Sequence, residues 1–365
     1  MKIQRLFLRN VRSIKSLDLD FHDPVTGKPM SRIVLAGANG SGKTTILESI
    51  WGLISSLEKY GNGGLSTHSQ LENINFKVSP DAELQIDFEV DPVLTSIGTL
   101  SVYYGVASSI SDDPSITEKA HVGGMRGEWL GGTWGISEES YFRQISETIR
   151  IQRELQGDGP IRDLGTLIFF PHDRHLPYVK QGELAVEINP YELIHRYVSS
   201  DEWKQSVESY LFSLNYLDLE DRDRKVSASR FKDAVMLVNS VLVGKKIMRI
   251  QKGRVIIETE QGESHGLGDL SSGEKQLTLL LIEIHRRISR GSVILIDEPE
   301  ISLHPAWQRG LVVALDKIIE QYNAQVIMAT HSPEIAGMVL PHEVIFLSDL
   351  NLPLGEWIPE QEALA

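Results

Sequence analysis

Apolar and polar side chains alternate along residues 2–8 (KIQRLFL) and 14–21 (IKSLDLDF), which predicts two strands. A Pro/Gly turn, DPVTGKP, separates them from the apolar strand RIVLAG at 32–37. GANGSGKT follows at 37–44. The next segment, TTILESIWGLISSLEKY, has apolar residues at helical spacing and stops at GNGG. Between about 71 and 107, NINFKV, ELQIDFEV and LSVYYGV read as further strands and predict an antiparallel sheet beside the main one. Residues 108–160 are uneven and rich in Gly and Ser, with a helical piece near 137–155, as an insertion would be.

The strand LGTLIFF then runs into PHDRHLP at 171–177, and helices are expected at about 190–198, 200–215 and 228–242. None sustains heptads, so no long coiled-coil arm is expected. A hairpin near 246–260 leads into a regular alternation: helix 272–289, strand SVILID, helix 305–322, strand AQVIMAT, helix 333–339, strand EVIFLS. Strands and helices in turn predict a parallel sheet with crossover helices. The divisions expected from this pattern are an N-terminal lobe at 1–107, an insertion and helical region at 108–245, and a C-terminal lobe at 246–365.

Composition alters this picture little, because 41% hydrophobic residues over 365 is ordinary for a globular protein with a sizeable core. No cysteine is present, which excludes disulfides and thiolate metal sites. The N-terminus lacks the unbroken apolar stretch of a secretory signal, and no run approaches the roughly 20 apolar residues of a membrane span, so the expected location is cytoplasmic. A formal charge of −14 makes the surface as a whole repel nucleic acid and anionic membrane. The basic stretch GKKIMRIQKGR at 244–254 is a local exception, read either as a solvated hairpin or as a nucleic-acid contact.

The candidate chemistry sits at the ends of the strands. GANGSGKT satisfies G-x-x-x-x-G-K-[ST] between a strand and a helix: glycines let the backbone close on phosphate oxygens, Lys43 reaches the β and γ phosphates, and the Thr44 hydroxyl can hold Mg²⁺. VILIDEPE at 293–300 is a buried strand that releases two acids at its carboxyl end, where open α/β sheets bind ligand. Asp297 suits the oxygen shell of Mg²⁺ and Glu298 suits a base for water, against the alternative of a strand that simply ends in a polar turn. MATHSPE delivers His331 in the same way, as a catalytic group or a structural hydrogen-bonder. GDLSSGEKQ at 268–276 opens a helix with bare N–H groups that suit a second phosphate. His172, Asp173 and His175 in PHDRH form a poor metal-ligand set.

Taken in order, NVRSIK, GANGSGKT, LSSGEKQ, LIDEPE and THS resemble the ABC-type ATPases of the SMC and RecF class, and within it the stand-alone OLD-like ATPases. The likeness is close over about 265–347, partial in the N-terminal third and loose over 60–230. It implies an α/β ABC-ATPase head with a mixed or parallel core sheet, an antiparallel β subdomain and a helical subdomain. It also implies ATP and Mg²⁺ as cofactors, with Asn39, Gly40, Ser41, Gly42, Lys43, Thr44 and Thr45 around the triphosphate and Arg12 reaching the nucleotide. Asp297 and Thr44 would hold the metal, Glu298 would be the base, and His331 the switch histidine at the γ-phosphate.

In this class two heads face each other head to tail, and each ATP is sandwiched between the phosphate loop of one and the LSGGQ-like motif of the other. Ser271, Ser272, Gly273 and Glu274 would therefore serve a second copy, with Ser271 the direct contact and Ser272 in place of the first glycine. His304 stands where many ABC proteins have an aspartate, although EPEISLHP matches the OLD-like pattern, and His172 or Asp173 occupies the place of the glutamine loop. The implied function is an ATP-driven switch that forms a homodimer, or an assembly built from it, and controls a separate effector such as a nuclease in anti-phage defence. The expectation of a separate effector also rests on the short tail after the switch histidine, which leaves no room for an appended nuclease. A RecF-like DNA-binding ATPase in repair is the alternative. A transporter motor fits less well, because its phosphate loop and LSGGQ-like motif lie closer together, and a non-hydrolysing nucleotide module would lack Glu298.

Overall fold

The computed structural model describes residues 1–61, 82–89, 99–105, 120–125, 165–172, 174, 194–196, 207–223, 229–251 and 254–347. Their fold is α/β, with parallel core strands, largely antiparallel sheets and flanking helices, and no long coiled coil among the described residues. No described helix is long and apolar enough to cross a membrane. The expected strand at NINFKV and the helical piece at 137–155 lie outside the described residues. The chain divides into two compact units.

The unit that contains Lys2–Ile151 begins with β1 (Lys2–Val11) and β2 (Ile14–Asp20), an antiparallel pair in which Leu6 faces Leu19 and Val11 faces Ile14. Ile3, Leu6, Leu8 and Val11 are buried, and the step from 3 to 6 breaks strict alternation. A register shift between Ile3 and Arg5 against β4 (Glu83–Glu89) explains it, since a bulge inserts one residue and resets which side faces inward. β5 (Thr99–Gly105) and β6 (Ala120–Met125) complete a sheet ordered β2-β1-β4-β5-β6, in which only the β5–β6 pair is parallel. β3 (Arg32–Gly37) leads to α1 (Lys43–Gly61), whose buried Ile46, Leu47, Ile50, Leu53 and Ile54 form the stripe expected of a helix lying on a core.

The unit that contains Gln152–Val326 carries β7 (Leu167–Phe170) and β8 (Ile194–Arg196), paired in parallel. A helix was expected over 190–198. Ile194–Arg196 is instead extended, because its backbone groups are satisfied by Leu167–Phe169 at the edge of β7, and this pairing overrides a short helical periodicity. α2 (Val207–Asp223) and α3 (Arg230–Asn239) follow, and the Asp218 carboxylate accepts from the N–H groups of Arg230 and Phe231 at 3.1 and 2.9 Å, capping α3. β9 (Lys245–Gln251), β10 (Arg254–Thr259) and β11 (Ser264–His265) form the expected hairpin and a short third strand. α4 (Ser272–Arg287) is buried at most positions from Gly273 to Ile284, as a core helix is. β12 (Val293–Asp297) is fully buried and pairs in parallel with β7, Ile296 opposite Phe170. α5 (Pro305–Tyr322) and the single turn α6 (Pro333–Ala336) complete this unit.

The first unit also takes in most of β13 (Gln325–Thr330), up to Ser332, and β14 (Val344–Leu347). β14 runs parallel to β3, with Leu347 opposite Gly37. At the rim of that pair Arg32 donates to Glu343 through Nε and Nη2, at 3.1 and 2.7 Å.

Candidate functional site

β3 ends at Gly37 and α1 starts at Lys43, so the GANGSGKT segment forms the turn between them. A Cβ at Gly37 would lie 2.6 Å from the Leu347 carbonyl oxygen and 2.8 Å from Ser41 Oγ, closer than side-chain carbons approach, which is why the loop opens on glycine. Gly40 and Gly42 have φ of 84° and 88°, in the left-handed region where a side chain is strained. The Lys43 ammonium is buried and donates to the carbonyls of Gly37 and Ala38, both at 2.8 Å, with Ser41 Oγ at 3.4 Å. The first turn of α1 holds no acid, so the positive end of the helix dipole is uncompensated. A cation tied to the loop's own carbonyls, a bare helix start and glycines turned to positive φ fit a polyphosphate.

Arg12 and Ser13 form the tight turn between β1 and β2, Arg12 itself at φ 51°. Its guanidinium crosses to α1, pairing with Glu48 Oε2 at 2.6 Å and lying 3.5 Å from Thr45 Oγ1. The arginine expected near the nucleotide is thus anchored beside the start of the helix that follows the loop. In the same unit His331 is exposed immediately after β13, where the Ser332 N–H donates to Thr330 Oγ1 at 2.9 Å.

In the other unit, β7 and β12 are parallel neighbours, so their carboxyl ends emerge side by side. One releases Pro171 and His172, the other Asp297 and Glu298. Asp297 is fully buried, and His172 Nδ1 lies 3.3 Å from its Oδ2. His172, one of two residues expected to stand in for the glutamine loop, therefore touches the acid expected to hold the metal, while Asp173 and His175 lie outside the described residues. The Asp297 carboxylate offers oxygen, the donor Mg²⁺ prefers, and in the other unit the Thr44 hydroxyl is a donor of the same kind. Glu298 has φ 49°, unusual for a residue with a side chain.

Arg174 was not singled out in the sequence. Its Nη1 donates to the carbonyls of Pro171 and Asp297 at 3.0 and 2.7 Å, and its Nη2 to that of Glu298 at 3.1 Å. Burial lowers its pKa, and Asp297, Glu300 and Glu298 oppose that shift. A guanidinium keeps its proton even so.

Ser271 is the N-cap of α4, joined to Glu274 in a reciprocal capping box. The Glu274 carboxylate accepts from the Ser271 N–H and hydroxyl, both at 2.8 Å, and from Lys245 Nζ at 2.9 Å. Burial alone would raise the Glu274 carboxyl, but the bonds from Lys245 and Ser271 outweigh it and hold the pKa below the ordinary value. Ser272 is exposed in the first turn and Gly273 is buried beneath it. His304 is the N-cap of α5: its Nδ1 accepts from the Ala306 N–H at 3.3 Å, with Pro305 at the first helical position. A histidine thereby does the capping work for which aspartate is well suited.

The phosphate loop, Arg12 and His331 belong to one unit, and Asp297, Glu298 and Ser271–Glu274 to the other. Comparison with known proteins supports the sequence resemblance. Residues 1–165 match the family described as "AAA ATPase domain", and residues 174–337 the family described as "AAA domain, putative AbiEii toxin, Type IV TA system". The chain is 23% identical to the "Retron Vc95 probable ATPase" of Vibrio cholerae, with 95% of this chain and 77% of that protein covered. It is 22% identical to the OLD nuclease of Thermus scotoductus, over 92% of this chain and 60% of that one. The crystal structure of an SMC head bound to the C-winged helix domain of ScpA shares the fold, with a TM-score of 0.52 at 14% identity over 93% of this chain and 92% of that one.

Proposed function

We propose that this chain, an SMC/RecF-like ATPase related to ATPases of the retron, Septu and OLD systems, hydrolyses ATP with Mg²⁺ in a head-to-tail dimer and switches a separate effector in anti-phage defence. The phosphate loop wraps the triphosphate with its N–H groups, Lys43 neutralises the β and γ phosphates, and Arg12 braces the nucleotide from the β1–β2 turn. The Thr44 hydroxyl and Asp297 would hold Mg²⁺, which would supply further neutralisation of phosphate charge. Glu298 orients the attacking water and takes its proton, and His331 donates to the γ-phosphate oxygens. Ser271, Ser272, Gly273 and Glu274 complete the site of the second copy, where the exposed start of α4 meets the γ-phosphate.

The observation that carries the hydrolytic reading is the end of β12. A fully buried carboxylate there is followed by a glutamate whose backbone sits in the left-handed region, at φ 49°. Strained backbone of this kind clusters at working sites. The effector role rests on the relatives, one of which is itself a nuclease by name.

The test compares wild type with Glu298→Gln and Lys43→Ala for ATP binding and for phosphate release with Mg²⁺. Glu298→Gln is expected to bind ATP and accumulate it unhydrolysed, and Lys43→Ala to lose binding. Turnover by Glu298→Gln equal to wild type removes Glu298 from its role.

A further inference from the structure

We infer that Arg174 is a positioning residue for Glu298, fixing through the backbone the carboxylate that activates water. The inference rests on the hydrolytic reading above and extends it to a residue outside the ATPase motifs. Nη1 and Nη2 bind two successive carbonyls, those of Asp297 and Glu298, at 2.7 and 3.1 Å. With Glu298 at φ 49°, its carbonyl comes round to the same cation as the carbonyl before it. Nη1 also binds the Pro171 carbonyl at 3.0 Å, so the guanidinium ties the segment leaving β7 to the segment leaving β12.

The N–H of Ile301 reaches the Glu298 carbonyl at 3.2 Å and that of Leu303 reaches the Glu300 carbonyl at 2.9 Å, but neither bond holds the Asp297 carbonyl. The segment that supplies Arg174 also sets His172 Nδ1 at 3.3 Å from Asp297 Oδ2. One short stretch therefore meets both the side chain of the first acid and the backbone of the second. Lysine is not an equivalent replacement, because one ammonium nitrogen on a flexible stem does not hold the carbonyls of Pro171, Asp297 and Glu298 from two nitrogens fixed in one plane, as the guanidinium does.

The experiment measures ATP affinity, kcat and melting temperature for Arg174→Gln and Arg174→Lys, each in the wild-type and Glu298→Gln backgrounds. A misplaced catalytic group can cost on the order of 10²-fold, so Arg174→Gln should lower kcat by about that much while ATP affinity stays within about twofold. In the Glu298→Gln background the same change should leave the residual rate unaltered, because the group it positions is gone. Arg174→Lys, which keeps the charge, should lose kcat to a similar degree and serves as the test if Arg174→Gln does not fold. Unchanged kcat, or an equal loss in both backgrounds, overturns the inference while hydrolysis by wild type and its arrest in Glu298→Gln leave the parent reading standing. Absence of hydrolysis in wild type overturns both.

Discussion

At Gly273 a methyl group would lie 2.6 Å from the Ser302 carbonyl oxygen and 2.8 Å from the Trp307 ring, so the start of α4 rests directly on the loop that leaves β12. Ser302 is itself in the left-handed region, at φ 61°. Because one partner is backbone, the clash cannot be relieved by a rotamer change. Gly273→Ala is expected to destabilise the fold by about 1–3 kcal/mol, as overpacking does, and to impair hydrolysis. Denaturant unfolding of wild type and variant checks this, and superimposable curves would mean that the 302 loop yields freely. The sequence pointed to Gly273 as part of a phosphate-binding motif, whereas the structure shows a packing reason for it as well. Arg174 was illegible for a related reason. Its three partners are main-chain carbonyls, two of them more than a hundred positions away, and carbonyls leave no residue signature.

Elements were legible where their pattern is local. β3, the phosphate loop and α1 were read closely because strand, glycine loop and amphipathic helix succeed one another within one segment, and α5 was read at 305–322 because proline starts it. β8 was misread because only its partner β7 makes it a strand. The N-terminus of α4 shows chemistry that the motif alone did not disclose: Glu274 joins Ser271 to Lys245, which begins β9. Its folded pKa lies below the ordinary 4.5, so its contribution to stability is complete above about that pH and is lost as pH falls through the depressed folded value. The stability difference between wild type and Glu274→Gln, measured by denaturation across pH, should therefore be constant near neutrality and shrink on acidification below about 4.5. A difference that persists unchanged into acid would remove this carboxylate from the link between β9 and α4.

Across the whole molecule, the groups proposed to serve one ATP come from separate parts of the chain, and in the proposed dimer the Ser271–Glu274 segment comes from the other copy. That arrangement makes hydrolysis a report on assembly, and an effector that prefers the ATP-bound state is biased by no more than that preference. The measurement that tests this most directly is phosphate release by a mixture of Ser271→Arg and Lys43→Ala proteins. Ser271→Arg keeps an intact phosphate loop and puts a bulky cation into the sandwich, whereas Lys43→Ala keeps an intact α4 N-terminus, so each alone should be inactive. Mixed, they should recover part of the wild-type rate, from the single composite site that each heterodimer can form. A mixture that stays inactive while heterodimers are shown to form would contradict the account.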